Sequence, residues 1–400
     1  MWDLIVIGSG PAGLKAAIKA AENGLSTIVV DEFPRPGGRL LGQLYKEKNG
    51  EWWNGIKESE RLVEEAKLNG VIISCQTSVY DIEKLDELWC VYTNKKLMKS
   101  HYLLIATGAS ERHIPIPGWT LPGVMSIGAA QVMSNVHRVK PGESCIIIGI
   151  NVLSLSIADE LKMSGLDVEA IILPYSPQID KEASEPKAVI AKLMYLTHLA
   201  PSRLLRILGV LGKYLPVNMV TRFYPKNGLR MNKMPIKVKT AAQKIIGNEV
   251  AKGVEVINID SKGRKIEGTE KLLKADVICI SGGLAPLSEL AAIVGCRFKY
   301  SEALGGHIPI HNERMETEVS NLFVAGNVTG IESAKVAMAQ GELAGLNIAQ
   351  QHIKNNNYLK QKLKQAIYNV KKTRSEALIQ FQPNIERNRE NLYREIENTQ

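Results

Sequence analysis

Apolar residues in this chain gather into short, unbroken runs separated by stretches with a helical period. Leu4-Ile5-Val6-Ile7, Thr27-Ile28-Val29-Val30, Tyr102 to Ala106, Cys145 to Ile148, Val168 to Leu173, Ala275 to Ile280 and Leu322 to Ala325 all read as buried strands. Shorter strands are predicted at Val71-Ile72-Ile73, Ser78-Val79-Tyr80, Trp89 to Thr93, Lys237 to Lys239 and Gly253 to Ile257. Between them, helices are expected at Leu14 to Ala21, Lys57 to Asn69, Leu153 to Ser164 and Ser333 to Ala349. From Lys354 onward the chain is charged, poor in aliphatics and reads as helical. Strands alternating with helices call for an α/β protein.

The first repeat of that alternation carries the chemistry. Gly8-Ser9-Gly10-Pro11-Ala12-Gly13 lies between strand and helix, and the next strand ends in Asp31-Glu32. In such a turn the first glycine makes the bend, the second admits a pyrophosphate and the third lets helix and strand pack closely. The helix N-terminus faces the anion. An acid about 20 residues on accepts hydrogen bonds from a ribose, the role expected of Asp31. A second strand-turn-helix begins at Cys145-Ile146-Ile147-Ile148-Gly149 but continues Ile150-Asn151-Val152-Leu153-Ser154, keeping only the first glycine. Asn151 and Ser154 put side chains where a pyrophosphate and a close helix need none, which argues against NAD(P) binding at that turn.

Length and charge narrow the class. Four hundred residues exceed what one core normally supports. The formal charge of +9 comes from dispersed lysines and arginines, with no basic-aromatic interleaving, so no nucleic-acid partner is expected. The charge suits solubility, or attraction for an acidic partner or anionic ligand. The five cysteines, Cys75, Cys90, Cys145, Cys279 and Cys296, have neither metal nor disulfide spacing, which suits a reducing cytoplasm. No apolar run is long enough to span a bilayer, and the chain opens directly into a strand without room for a signal peptide.

The order of these pieces, with Ala106-Thr107-Gly108 closing a strand and Gly326-Asn327 closing a late one, resembles the two-dinucleotide-domain flavoproteins of the pyridine nucleotide–disulfide oxidoreductase superfamily. A narrower resemblance lies in Ala106 to Arg112, Pro117-Gly118-Trp119-Thr120-Leu121-Pro122-Gly123-Val124-Met125, Gly128 to Gln131, Gly330 to Ala337 and Gly341 to Gly345. These are similar to the FAD-binding alpha-type subunits of opine oxidase, hydrogen cyanide synthase, dye-linked L-proline and hydroxyproline dehydrogenases, and sarcosine oxidase alpha, across roughly residues 1 to 350. The resemblance implies two Rossmann-like three-layer dinucleotide-binding domains, with the FAD-binding one discontinuous. Its parts are expected at 1–115 and 286–352, the degraded NAD(P)-type domain at 116–285 and a helical tail at 353–400. The proline-rich crossing Ile114 to Trp119 suits a boundary.

The resemblance also implies FAD as cofactor, held by Gly8, Gly10, Pro11, Ala12, Gly13, Asp31, Glu32, Gly38, Arg39, Leu40, Gln43, Val79, Ala106, Thr107, Gly108, Gly326, Asn327, Ser333 and Ala334. Asn327 replaces the family's usual aspartate and still offers its amide to a ribityl hydroxyl. Arg39 reads either as a stabiliser of negative charge on the flavin or as a surface arginine. The helix beginning near Ser333 is expected to aim its N-terminus at the flavin pyrimidine. No redox cysteine pair exists, so disulfide reduction is excluded. The tail after Tyr358 lacks the thiolates that an iron–sulfur cluster requires. No metal site is expected. His113, His307 and His311 are expected in loops able to reach a cleft, or as surface or satisfied residues. No catalytic residue can be assigned.

The function expected is an FAD-dependent oxidoreductase acting on C–N bonds, the alpha-type subunit of a heteromeric amino-acid or opine dehydrogenase or oxidase. Its small amine or amino-acid substrate would be oxidised with a companion subunit. The alternatives are a stand-alone NAD(P)H-dependent flavin reductase and a non-catalytic FAD-binding assembly subunit. The segment Lys187 to Lys213, with Leu193, Leu196, Leu204, Leu205 and Leu208, reads equally as a partner or membrane-surface face and as core. With the tail, it is the expected partner contact.

Overall fold

The computed structural model describes residues 1–47, 49–175, 181–195, 215–225, 227–378 and 385–397. The chain divides into two compact units, one of Met1–Ser110 with Leu284–Gln400, the other of Glu111–Gly283.

The first unit opens β1 (Trp2–Ile7), α1 (Pro11–Ala21), β2 (Thr27–Val30), α2 (Gly55–Leu68), β3 (Ile72–Ser74), β4 (Val79–Leu85), β5 (Leu88–Thr93) and β6 (Leu97–Ile105). Its sheet runs β3-β2-β1-β6-β5-β4. The first four of these are parallel, with Ile5 beside Ile28 and Leu103, while β6, β5 and β4 form an antiparallel meander. Alternation along β1 explains the layering. Leu4 and Val6 enter a core shared with α1, whereas Ile5 and Ile7 enter one shared with Trp89, Val91 and Met98 of the meander. A strand buried on both faces needs an uninterrupted apolar run, and β1 has one.

The second unit repeats the scheme with β7 (Val124–Ser126), α3 (Ile127–Asn135), β8 (Ser144–Ile148), α4 (Val152–Met163), β9 (Asp167–Pro174), β10 (Met234–Gly247), β11 (Ala251–Asn258), β12 (Lys271–Lys274) and β13 (Val277–Ile280). Its order is β7-β13-β8-β9-β10-β11-β12. The strand read at Lys237 to Lys239 is part of the first half of a much longer one. Its lysines alternate with buried Ile236 and Val238, so the sequence shows only a short apolar signal there. Of the Lys187 to Lys213 segment, residues 196–213, including Leu196, Leu204, Leu205 and Leu208, lie outside the described residues. Leu193 packs against the second unit's core beside Val189 and Ile190.

The chain then returns to the first unit. β14 (Leu322–Val324) lies parallel to the end of β6 and leads to α5 (Ala334–His352), α6 (Asn357–Ser375) and α7 (Ile385–Glu397). Helix α5 lies directly on α1. A Cβ at Gly341 would stand 2.1 Å from the Ala12 oxygen, and one at Gly345 2.4 Å from that of Ala16, so only glycine permits this approach. The tail is not a solvated appendage: Leu359, Leu363, Ala366 and Val370 of α6 complete the α1–α5 core.

Candidate functional site

Three chain segments converge on the first turn of α1. Gly8 follows β1 at φ +105, and a Cβ there would meet the Ala106 oxygen at 2.4 Å, so the Ala106-Thr107-Gly108 strand end runs against it. A Cβ on Gly38 would stand 3.0 Å from the Gly10 Cα, which brings the 38–42 turn across the glycine loop. Gly326, at φ +81, would press a Cβ within 2.8 Å of the Ala12 Cβ. Gly13 is required by the fold itself, since its Cβ would collide with the Gly8 oxygen at 1.9 Å.

Gly10 differs from all of these. Its φ of −68 suits any residue, and nothing lies within 4 Å of where its Cβ would be. Pro11 starts α1 without giving up a useful donor, and no side chain caps the helix. An open cradle before an uncapped helix N-terminus fits a phosphate-bearing ligand.

The acidic end of β2 closes the turn from the other side. Asp31 Oδ2 accepts from Ser9 N and Ser9 Oγ, both at 2.6 Å, and Oδ1 accepts from Phe33 N at 2.8 Å. Ser9 is fully buried and is a part of the site that sequence reasoning missed, although its place between the two glycines was the available signal. Glu32 beside it is exposed. The Ser74 to Thr77 loop bonds the Asp31 and Phe33 backbone and delivers the half-buried Val79 at the start of β4.

Arg39 is exposed, and its Nε donates to the Ala109 oxygen at 2.9 Å, which ties the turn to the end of the Ala106–Gly108 segment. Leu40 is buried in the α1 core. Gln43 has its Oε1 engaged by Trp53 Nε1 at 3.1 Å. Trp53 in turn stacks on Tyr45 and lies under Lys335. Thr107 Oγ1 donates to the Leu287 oxygen at 2.5 Å, and Gly108 takes φ +80.

Asn327 Oδ1 accepts from Glu332 N at 3.2 Å, which folds the 327–332 loop on itself. Ser333 caps α5 by accepting from Val336 N, so Ala334 is the first helical residue. Beneath this loop, Glu332 is buried and meets Arg374 Nε at 2.6 Å and Arg389 Nη2 at 2.5 Å. Burial pushes its carboxyl up, but the two arginines outweigh that and hold it below the ordinary glutamate value. Neither arginine was singled out from sequence.

His113, in a loop, and His307 are exposed, in line with the surface reading, whereas His311 departs from expectation. His307 lies in a strand with its ring against Tyr300, and His113 packs near Trp119. His311 reaches no cleft: it is completely buried, with Nδ1 2.7 Å from the Pro309 oxygen and Nε2 without a partner. Burial, reinforced by Arg389, lowers its pKa to about 3. Among the described residues no cluster of three or more histidines, cysteines or acids could hold a metal, and no helix is long and apolar enough to cross a membrane.

The corresponding turn of the second unit is closed. Asn151 Oδ1 accepts from Ser154 N at 3.0 Å while Ser154 Oγ accepts from Asn151 N at 2.9 Å, a reciprocal capping box on α4. Asn151 Nδ2 also reaches the Ser281 oxygen at 3.0 Å. The donors that a pyrophosphate would use are partly taken by the protein.

Two dinucleotide-binding folds, one interrupted by the other in sequence, define the class. The chain matches the model of the pyridine nucleotide-disulphide oxidoreductase family over residues 2–193 and 217–341, and it belongs to that family. An opine oxidase subunit of Rhizobium meliloti (strain 1021) is 28% identical over 360 residues, 87% of this chain and 71% of that one. Hydrogen cyanide synthase subunit HcnB of Pseudomonas aeruginosa is 25% identical over 355 residues, 86% of this chain and 70% of its own. The structure of L-proline dehydrogenase from P. horikoshii superposes with a TM-score of 0.64 at 19% identity, covering 91% of this chain and 58% of that one. The chain thus spans between 58% and 71% of the length of these proteins.

Proposed function

We propose that the first unit binds FAD and that the chain is the alpha-type subunit of a heteromeric amino-acid or opine dehydrogenase or oxidase. The observation that carries this reading is the open space at Gly10 before the uncapped α1, a glycine that no protein contact explains. The first-turn amides of Ala12 and Gly13 would hold the pyrophosphate there. Asp31, with Glu32 beside it, would hold the adenosine ribose, Val79 would line the adenine side and Gly326-Asn327 would hold the ribityl chain. Gly38, Arg39, Leu40, Gln43, the Ala106-Thr107-Gly108 strand end and the Ser333-Ala334 helix start would hold the flavin ring. Bound there, FAD supplies the two-electron acceptor that side chains lack.

The protein's part would be to orient the cofactor, with Arg39 stabilising negative charge on the flavin and the α5 N-terminus placing positive potential at its pyrimidine. The capping box on α4 argues against NAD(P) as electron donor, and the cysteine-free tail argues against an iron–sulfur cluster in this chain. Electrons then exchange through a companion subunit that oxidises a small amine or amino acid. Relatives named as subunits support that division. Five cysteines, all free, favour a cytoplasmic setting.

The test is to purify the chain from its own cell with its companions and record the visible spectrum. Yellow protein with a co-purifying subunit is expected, and the isolated chain should show negligible dye-linked turnover of proline, sarcosine or an opine. Colourless protein that FAD cannot reconstitute would overturn the cofactor reading. Millisecond bleaching by micromolar NADH would instead favour the flavin reductase.

A further inference from the structure

Helix α6 presents Leu359, Leu363, Ala366 and Val370 to the core and continues the same stripe, one turn on, with Arg374. Helix α7 does likewise: Arg389 lies between buried Ile385 and Leu392. Two arginines at apolar-stripe positions, 5% and 1% exposed, are costly unless their hydrogen bonds are used. Both converge on Glu332, and Arg374 grips it with two nitrogens, Nε to Oε1 at 2.6 Å and Nη2 to Oε2 at 3.3 Å.

From Glu332 the bonds run to the cofactor-facing loop. Its backbone N–H donates to Asn327 Oδ1, and its Oε2 accepts from Gln340 Nε2 at 3.2 Å. Gln340 Oε1 in turn accepts from Gly326 N at 2.9 Å. Arg389 Nη2 also donates to Thr329 Oγ1 at 3.3 Å, and that hydroxyl donates to the Gly326 oxygen at 2.8 Å. Gly330 is held where a Cβ would touch Arg389 Nη2 at 3.0 Å.

We propose that Arg374 and Arg389 are positioning residues for the flavin site: the C-terminal helices fix Glu332, and Glu332 fixes the Gly326–Ser333 backbone. The proposal rests on the FAD reading for the loop's task. Packing alone does not account for the arrangement, because apolar residues of similar volume generally serve a core as well as a buried ion pair does. What the charges add is direction, through a connected network of hydrogen bonds. Arg389 spends its Nη2 on both Glu332 and Thr329, the two ends of that network.

The test compares the full chain with Arg374→Lys, which keeps the charge but cannot grip two oxygens at once, and with Arg389→Met. Exposed Lys364→Gln on α6 serves as control. Amide hydrogen exchange of residues 326–333 is read in cofactor-free protein. FAD affinity and the visible circular dichroism of bound flavin are read in loaded protein.

In Arg374→Lys the 326–333 amides should exchange faster, FAD should bind roughly tenfold or more weakly and the flavin dichroism should change, with the control unaltered. Should Arg389→Met fail to fold, Arg374→Lys decides alone. Folded Arg374→Lys with wild-type exchange and wild-type FAD affinity would overturn the proposal. If the wild-type chain takes up no FAD, the cofactor reading falls while the exchange data still judge the clamp: faster exchange upholds it, and unchanged exchange rejects it.

Discussion

Asp31 Oδ2 receives both the backbone N–H and the hydroxyl of Ser9, each at 2.6 Å. One carboxylate oxygen thereby fixes the turn whose neighbouring glycine, Gly10, is open. Ser9→Ala removes the hydroxyl bond to a charged acceptor and should lower stability by about 1–2 kcal/mol. It should also weaken FAD binding, because Asp31 loses a group that orients it. Urea unfolding of the cofactor-free chain and FAD titration measure the two effects. Unchanged values in both would show that the backbone bond alone sets the turn.

Gly10 and Gly13 should separate cofactor binding from folding. Gly10→Val enters open space, so the chain should fold with little loss yet fail to retain FAD. Gly13→Ala drives a methyl group against the Gly8 oxygen and should cost about 1–3 kcal/mol of stability whether or not FAD is present. Thermal unfolding with and without FAD distinguishes them. A Gly10→Val chain that keeps its flavin would remove the pyrophosphate from that cradle.

Asn151→Ala deletes the α4 cap and its bond to the Ser281 oxygen, and should destabilise the second unit by about 1 kcal/mol. Bound flavin should keep its spectrum and affinity. Calorimetry reads the first effect and flavin absorbance the second; loss of FAD from this variant would contradict the assignment of the cofactor to the first unit.

These contrasts mark what local sequence could reveal. The strand-turn-helix of residues 4–21 is set by neighbours in the chain, so its glycines and apolar run are readable without tertiary knowledge. Asn151 and Ser154 are three residues apart, and their departure from the glycine pattern was equally visible. The Arg374–Glu332 pair was not. Its members are separated by 42 positions, and a lysine-rich amphipathic helix looks the same whether its last arginine is solvated or buried. His311 misled for a related reason: Pro309 and Asn312 suggest an exposed loop, whereas contacts distant in sequence, among them Tyr393 against its ring, bury it.

His311 makes an acid-side prediction. Its pKa lies near 3 in the folded chain against an ordinary 6.5, because the buried ring stays neutral. Below 6.5 the unfolded chain takes a proton that the folded chain refuses. The stabilisation is therefore complete above pH 6.5 and is lost progressively as pH falls toward 3. His311→Gln should flatten the wild-type decline in stability across that window by up to one proton, as measured by urea unfolding at a series of pH values. Parallel profiles would show that His311 is protonated in the folded state.

The division of the chain also sets an order of assembly. Glu111–Gly283 is continuous, so every strand of its sheet is available once that stretch has left the ribosome. The first unit has no such independence: β6 waits for β14, and α1 for the glycines of α5, across the whole length of the insertion. Until those residues are made, the apolar side of α1 and one edge of β6 stay uncovered. The unit begun first in synthesis is finished last, and the nascent chain is most exposed to aggregation and chaperone capture during that interval.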